Sequence, residues 1–324
     1  MKMITAYVHD WNPILLELGG PLAIRWYGLS YLLSFVAGFF LLKHLARRQM
    51  WVLPEQEVSD FIAMAAMLGV FLGGRLGYVL FYMIPDKGIG EILRDPLTII
   101  RVWDGGMASH GGILALVIFT YYYSRKKKVS WTGLGDGLCV VAPIGLFFVR
   151  IANFINGELY GRVDQACRWA MKFPNALIDP KAPESQNYYA AVGAVQKVEP
   201  EMAGRNLSID EMKDVLRGND TLQETFELLL MPRHPSQLYE ALLEGVLLFA
   251  VLFLVRIKVQ QLPHGLLTGL FFILYAIGRM TAEQFREPDS AMIAFLTKGQ
   301  FYSCFMIAMG VAFLVWALRK PKTT

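Results

Sequence analysis

The sequence predicts an all-α integral membrane protein with seven transmembrane helices and an extracytoplasmic insertion between helices 4 and 5. The chain has 324 residues, of which 55% are hydrophobic and 18% charged, which is too apolar for an ordinary soluble domain. Seven stretches are mostly apolar over the roughly 20 residues that a spanning helix needs. Basic residues concentrate in every second loop, as they do in proteins that cross a membrane several times.

The apolar stretches also set the domain organisation. They lie at approximately 22–42, 60–84, 108–124, 134–156, 236–256, 265–283 and 301–318. We therefore divide the chain into 1–161 with helices 1–4, a soluble extracytoplasmic segment at 162–233, and 234–324 with helices 5–7. Within the middle segment, "SIDEMKDVLRGNDTLQETFELLL" combines a serine cap, early acids and helical periodicity. That pattern predicts a short amphipathic helical hairpin.

The distribution of basic residues predicts the orientation in the membrane. One set of alternate loops holds basic clusters without interspersed acids, namely Lys43, Arg47, Arg48, Arg125, Lys126, Lys127, Lys128, Arg256, Lys258, Arg319, Lys320 and Lys322. The opposite set mixes both signs. Because positively charged loops stay in the cytoplasm, we expect the N-terminus outside and the C-terminus inside. The opening "MKMITAYVHDWNP" carries polar and acidic residues where a signal peptide needs an apolar core, so we expect no cleaved signal.

Polar residues within the apolar stretches fall at one membrane depth. They lie at the predicted outer ends of five spans: Arg25, Tyr27, Arg75, His110, Arg150, Asn153, Asn156, Arg279, Glu283 and Arg286. Ionisable groups within a membrane are costly and almost always face the protein interior or a water-filled cavity. Their convergence predicts a polar site at the depth of the outer headgroups.

Helical spacing places several of these residues on common faces. Arg150, Asn153 and Gly157 stand at i, i+3 and i+7, which puts them on one face of a helix. A second stripe consists of Tyr275, Arg279, Glu283 and Arg286. Each stripe must face protein or water, because exposure of a charge to lipid costs several kcal/mol.

Simpler explanations exist for some of these residues. Arg286 and Arg162 are more simply explained as terminal arginines that reach up to the headgroups. Glu283 is explained equally well as the neutralising partner of Arg279 and as a catalytic group. Arg75, among glycines, is explained equally well as a functional residue of the site and as a helix-packing arginine bonded to loop carbonyls.

Buried arginines at this depth favour binding of a phospholipid phosphate. Arg150 and Arg279 carry guanidinium groups suited to bidentate contacts with phosphate, and phospholipid phosphate is the abundant anion there. The sequence has no metal-ligand cluster, P-loop, dinucleotide fingerprint or G-x-S-x-G turn, so we expect no metal, no cofactor and no nucleic acid. The remaining chemistry is substitution at a phospholipid, with His110 or Glu283 handling a proton. Glycine pairs on either side of His110 would let a ligand approach the backbone.

Beyond these patterns, "RIANFINGELYGR" at 150–162 resembles the signature of the bacterial prolipoprotein diacylglyceryl transferases. The motifs "IRWYGLSYL", "GGRLGYVLFY", "WDGGMASHGG", "RHPSQLYEALLEG" and "YAIGRMTAEQFREPD" are similar to that family's others and stand in the family's order. The resemblance covers nearly all of the chain except roughly 163–230. It implies a multi-pass enzyme of the bacterial cytoplasmic (inner) membrane. Such an enzyme moves the diacylglyceryl group of phosphatidylglycerol to the thiol of a prolipoprotein lipobox cysteine, forming a thioether and releasing glycerol phosphate.

The resemblance also implies roles for single residues. It implies catalytic roles for Tyr27, His110, Arg279 and Glu283, and phosphatidylglycerol binding by Arg150, Asn153, Glu158, Gly161 and Tyr275. We expect His110 to be the base for the thiol, with Glu283 as the alternative. The expected partners are phosphatidylglycerol and prolipoprotein signal peptides, bound by a membrane-embedded monomer. The chain departs from the family in Ala152, where the signature usually has glycine, and in a longer segment at 163–230.

Three other functions are compatible with the residues alone. A transporter needs polar residues along a path through both leaflets, whereas the inner halves of these spans are almost free of charge. A receptor or scaffold would bind its partner through 162–232 and use the polar cluster only structurally. Another phospholipid-dependent transferase would take a different acceptor, such as a sugar. The absence of outward-facing clusters of acidic residues and tryptophans argues mildly against that last function.

Overall fold

Helices form at each of the seven predicted stretches. The computed structural model describes residues 6–19, 22–101, 105–259, 261–288, 292–293 and 295–319. Apart from single turns, the elements in chain order are β1 Tyr7–Val8, β2 Ile14–Gly19, β3 Leu22–Arg25, α1 Trp26–Arg47, α2 Glu55–Lys87, α3 Ile89–Arg94, α4 Ser109–Lys127, α5 Trp131–Asn156, β4 Met171–Lys172, α6 Tyr188–Val198, α7 Ile209–Leu216, α8 Asp220–Leu229, α9 Ser236–Lys258, α10 Leu266–Ala282 and α11 Lys298–Arg319.

Five of these helices are long and apolar enough to cross a membrane. They are α1, α2, α5, α9 and α11. Helix α10 is apolar but shorter, and α4, with 19 residues, ends in the basic run Arg125, Lys126 and Lys127. A mostly helical protein with several membrane-spanning helices is therefore confirmed, and the full number of seven spans stays a prediction.

The expectation of an all-α fold is wrong in its detail, because two small sheets occur outside the helices. Strands β2 and β3 form an antiparallel hairpin, and β1 pairs in parallel with β4. The first predicted span began at residue 22, but 22–25 is strand and the helix begins at Trp26. The hairpin pairs the backbone groups of this apolar segment before the helix begins.

The described residues divide into two compact units. Unit 1 comprises those of Met1–Ser34, Ala142–Val251 and Leu270–Ala312, and unit 2 those of Phe35–Val141, Leu252–Gly269 and Phe313–Thr324. Five helices, α1, α5, α9, α10 and α11, run from one unit into the other. Each of these five has its predicted outer end in unit 1. Helices α2 and α4 belong to unit 2 alone.

Unit 2 contains a close glycine contact between α2 and α4. A Cβ on Gly111 would lie 2.4 Å from the carbonyl oxygen of Gly73 and 2.5 Å from Cα of Gly77. Small residues let two membrane helices approach in this way. The first glycine after His110 therefore serves helix packing, whereas we had expected it to admit a ligand.

A buried aspartate caps a helix within the same unit. Asp136, on α5, accepts hydrogen bonds from the backbone nitrogens of Gly265 at 2.7 Å and Thr268 at 2.8 Å. These amides lie around the start of α10, where backbone N–H groups lack partners inside the helix. The positive end of the helix dipole also stabilises the negative charge of the aspartate there.

The 162–233 segment has its own hydrophobic core within unit 1. Helices α6, α7 and α8 contribute Val195, Met212 and Phe226, all fully buried, to one cluster. Ser208 and Glu211 form a reciprocal capping box at the start of α7. The predicted helical hairpin with a serine cap is therefore confirmed as α7 and α8.

Candidate active site

The predicted site residues of unit 1 come from three helix ends, those of α1, α5 and α10, and the turns beside them. Tyr27 lies in the first turn of α1. The last turns of α5 carry Arg150 and Asn153, and α10 carries Tyr275 and Arg279. The chain following α10 carries Glu283 and Arg286. A fourth helix, α9, brings two glutamates that the sequence analysis did not single out, Glu240 and Glu244.

Three arginines and three glutamates form one buried ionic cluster. Glu240 binds Arg150, Arg279 and Arg286, with 3.1 Å to Nη1 of Arg150 and 3.0 Å to Nη1 of Arg286. Glu244 accepts from Arg150 Nη2 at 3.1 Å, and Glu283 lies 2.7 Å from Arg279 Nη2. The exposed fraction of both Glu240 and Glu244 is 0%. Carboxylates without solvent need cationic partners, and these arginines supply them.

The cluster bears on two of the simpler explanations. The Arg279–Glu283 pair is present, as its spacing of four residues predicted. The prediction that Arg286 reaches out to the headgroups is wrong, because its side chain is buried and bonded to Glu240. Spacing cannot distinguish a headgroup from a carboxylate on a neighbouring helix. Arg162 is exposed and donates to the carbonyl oxygen of Arg286.

Glu240 and Glu244 could have been found from the sequence, because both are charged residues within a predicted apolar span. They stand four residues apart within the predicted span 236–256, inside the motif "RHPSQLYEALLEG". The same argument that singled out Arg150 in an apolar stretch applies to them. A π-helical stretch, Ala241–Leu247, includes Glu244, and such turns are frequent at functional sites.

A second polar group lies around Asn153, which is almost fully buried. Its Nδ2 donates to the hydroxyl of Tyr27 and, at 2.9 Å, to Oε1 of Glu158. Because a carboxylate only accepts hydrogen bonds, the amide nitrogen must face Glu158. The Oδ1 of Asn153 is buried and has no hydrogen-bond partner among the described residues. The structure thus brings Tyr27, Asn153 and Glu158 together, with one acceptor left for a donor.

The signature turn begins at Gly157, just beyond the end of α5. The amide of Gly157 donates to Phe154 O at 2.9 Å and that of Glu158 to Asn153 O at 3.1 Å. These two bonds and a φ of 71° at Gly157 form a Schellman motif. Gly157 is therefore not on the helical face that its spacing predicted. It ends the helix and turns Glu158 back toward Asn153.

Gly161 lies where three chain segments meet. Its amide donates to His234 O and the next amide, of Arg162, donates to Phe285 O, both at 2.8 Å. A Cβ on Gly161 would lie 2.4 Å from Phe285 O and 2.5 Å from His234 O. The structure gives this glycine a packing reason, since only glycine permits that approach.

A buried arginine bonds this junction to the 162–233 segment. Arg233 and Glu184 are each 1% exposed, and their side chains are joined by two hydrogen bonds of 2.9 and 2.7 Å. Arg233 also donates to Gly161 O at 3.3 Å and lies 4.8 Å above the ring of Tyr160. A bidentate pair of this kind holds both side chains in one orientation.

Tyr275 lies one turn before Arg279 on α10 and is half-buried. Its ring stacks on Phe271, with the ring centroids 5.8 Å apart and the planes at 11°. This stacking fixes the ring direction beside the arginine.

His110 and Arg75 belong to unit 2. Arg75 is buried and donates to the carbonyl oxygens of Thr98, Ile99, Gly105 and Gly106, so it is the loop-binding arginine that one explanation predicted. His110 is exposed in the first turn of α4. Part of its motif, 102–104, lies outside the described residues. The role of His110 stays a prediction.

The chemistry open to unit 1 is recognition of an anion by guanidinium groups. The arginines are held by carboxylates in a water-poor setting, where charge interactions are strong. A phosphate reaching Arg150 or Arg279 would compete with Glu240 and Glu244 for the same donors. Asn153 offers a buried acceptor for a hydroxyl group.

Comparisons with known proteins agree with this chemistry. The family model described as "Prolipoprotein diacylglyceryl transferase" matches residues 13–316. A relative from Shigella boydii, named phosphatidylglycerol–prolipoprotein diacylglyceryl transferase, is 37% identical over 325 aligned positions, covering 98% of each chain. A relative of the same name from Bdellovibrio bacteriovorus is 40% identical, covering 95% of this chain and 93% of its own. One from Escherichia coli is 37% identical, covering 98% of each chain.

Proposed function

The chain belongs to the prolipoprotein diacylglyceryl transferase family, and we propose that its unit 1 cluster carries out the family's reaction. The protein is a transferase that moves the diacylglyceryl group of phosphatidylglycerol to the thiol of a prolipoprotein cysteine. The observation that carries the assignment to this cluster is the set of three arginines gathered around the buried Glu240, namely Arg286, which is buried, and Arg150 and Arg279, which are partly buried. Phosphatidylglycerol is an anionic phosphodiester, and guanidinium groups match its geometry.

The reaction exchanges one bond at a glyceryl carbon. The thiol loses its proton and its sulfur attacks the CH2 that bears the phosphate ester, forming a C–S bond. The C–O bond breaks, and its electron pair leaves on glycerol phosphate. Negative charge therefore grows on the phosphate, and Arg150 and Arg279 stabilise it. Their neutralising partners Glu240 and Glu244 keep both guanidinium groups oriented before the lipid binds.

Headgroup orientation falls to the group around Asn153. Its buried Oδ1 lacks a partner among the described residues and accepts from a hydroxyl of the headgroup glycerol. Tyr27 and Glu158 hold the amide in that direction through Nδ2. Tyr275 and Gly161 support the same site, Tyr275 by contact with lipid beside Arg279 and Gly161 by the packing of the junction.

The base for the thiol is His110 in this proposal. A free cysteine with a pKa near 8.5 is mostly protonated at neutral pH. Glu283 is the weaker candidate, because its carboxylate already forms an ion pair with Nη2 of Arg279 at 2.7 Å. His110 is exposed in the first turn of α4, and its imidazole can accept the thiol proton from that position.

We place the reaction at the outer leaflet of the bacterial cytoplasmic membrane, in a monomer with seven spans. Two observations support this topology. Helices form at all seven predicted stretches, and five of them are long and apolar enough to cross a membrane. In addition, every predicted outer end of α1, α5, α9, α10 and α11 lies in one unit. The basic loops then face the cytoplasm.

The test is a reconstituted transfer assay. Purified protein in phosphatidylglycerol liposomes should add a diacylglyceryl mass to the cysteine of a lipobox peptide, and protein in phosphatidylcholine liposomes should not. For the base, His110→Gln should be slow at pH 7 and recover in part at pH 9, where the thiol ionises unaided. Glu283→Gln should show no such recovery. Well-folded wild type without an adduct would contradict the proposal, and equal pH profiles would contradict the role of His110.

A further inference from the structure

A buried lysine of the 162–233 segment contacts the signature turn. Lys213, on α7, is 1% exposed. Its ammonium donates to the carbonyl oxygen of Asn156 at 3.1 Å. Asn156 is the last residue of α5, the helix that carries Arg150 and Asn153. Carbonyl groups at a helix C-terminus lack partners inside the helix, and a cation there is also favoured by the helix dipole.

The lysine lies against the turn itself. A Cβ on Gly157 would lie 3.2 Å from Nζ of Lys213 and 3.1 Å from Oδ1 of Asn175. The next residue, Glu158, receives the amide of Asn153. Lys213 therefore lies beside the point at which the chain leaves α5 and returns toward Asn153.

Burial destabilises the charged form of this lysine more than the nearby acids stabilise it. Burial lowers its pKa to about 8, while Asp210, Asp10 and Glu158 favour the charged form and Arg217 opposes it. The neighbouring His9 is buried too, and burial and Lys213 lower its pKa to about 4. A lysine so costly to bury is unexpected in a segment that serves only as a surface insertion.

We propose that Lys213 is a positioning residue for the transfer reaction, which holds the turn 156–158 and through it the Asn153–Glu158 pair. The inference rests on the proposed function for its catalytic consequence, but not for the contact itself. It gives the 162–233 segment a task, namely to close the C-terminal end of the helix that bears the headgroup-binding side chains. Small misplacements of binding groups cost large factors in rate.

The experiment compares Lys213→Met, which removes the charge and donor, with Lys213→Arg, which keeps them. Lys197→Met is the matched control, because Lys197 is an exposed lysine on α6 of the same segment. We expect Lys213→Met to lower kcat/KM by about ten-fold, Lys213→Arg to restore most of it, and the control to change nothing.

A pH series separates positioning from simple packing. Ionisation of the substrate thiol is common to all variants and cancels in ratios to wild type. Below pH 8 the ratio of Lys213→Met to wild type should be low. Above pH 8 it should rise, because wild-type Lys213 loses the charge that the variant lacks. Lys213→Arg should gain on wild type over the same range. A ratio that is constant with pH, or an unchanged kcat/KM in folded Lys213→Met, would overturn the inference.

Hydrogen exchange tests the contact without any activity. Backbone amides of residues 157–161 should exchange about ten-fold faster in Lys213→Met than in wild type, and at wild-type rates in the control. Faster exchange in a protein without transfer activity would refute the proposed function and leave the positioning contact standing. Unchanged exchange would refute the contact. If Lys213→Met does not fold, the pH series of Lys213→Arg against wild type decides alone.

Discussion

Substitution of Gly161 by alanine should open the junction that holds the site together. The new Cβ would lie 2.4 Å from Phe285 O and 2.5 Å from His234 O, whereas such contacts require at least 3.0 Å. The segments must separate by about 0.5 Å, which lengthens the 2.8 Å backbone bonds from Gly161 to His234 and from Arg162 to Phe285. Overpacking of this kind usually costs about 1–3 kcal/mol.

The expected loss of stability follows from these two terms. Two weakened backbone hydrogen bonds contribute about 0.5–1.5 kcal/mol each. Together with the overpacking cost of about 1–3 kcal/mol, the total is about 4 kcal/mol, with a fall in Tm of about 6 °C. Activity should fall with it, because the same bonds hold the signature turn to the ends of α9 and α10. Thermal unfolding in detergent and transfer activity at low temperature measure the two effects.

Gly193→Ala is the matched control for this prediction. Gly193 lies within α6, and a Cβ there meets nothing within 4 Å. Alanine should stabilise that helix by about 0.5–1 kcal/mol, the opposite sign. Gly161→Ala with the stability and activity of wild type would refute the steric reasoning.

Three further predictions concern the 162–233 segment and its neighbours. Glu184→Gln leaves the buried charge of Arg233 partly unpaired and should lower the free energy of unfolding by about 3 kcal/mol; a denaturant titration with no shift would contradict this. His9, whose pKa burial lowers from 6.5 to about 4, takes up a proton more readily when unfolded. Stability should therefore fall by about 3 kcal/mol as pH drops from 6.5 to 4, and His9→Phe should flatten that slope in melting curves. Ser208→Ala removes the cap of α7 and should cost about 1 kcal/mol, seen as faster hydrogen exchange in the first helical turn; unchanged exchange speaks against the cap.

Much of unit 1 could be predicted from single residues because charges in apolar stretches are informative. Arg150, Asn153, Arg279 and Glu283 stand out against their neighbours, and the structure brings each into contact with another charged or polar group. Glu240 carried the same signal. Residue spacing could not predict the partners of Glu240, because its three arginines come from two other segments of the chain.

Other features depend on tertiary contacts that no local pattern encodes. The pairing of β1 with β4 joins residues more than 160 positions apart. The burial of Arg233 depends on Glu184, nearly 50 residues earlier. We expected Gly111 to admit a ligand because the sequence pattern does not predict that it packs against the glycines of α2.

The most direct test of the account is transfer by Arg150→Ala. Wild type is compared with Arg150→Ala and with Arg168→Ala in phosphatidylglycerol liposomes with a lipobox peptide. Arg168 is an exposed arginine of the 162–233 segment. Mass spectrometry of the cysteine adduct measures the rate, and thermal unfolding confirms that each protein is folded. We predict a loss of about 10²–10³ in rate for folded Arg150→Ala and no loss for Arg168→Ala. An adduct formed at the wild-type rate by Arg150→Ala would contradict the role of the arginine cluster in stabilising the leaving phosphate.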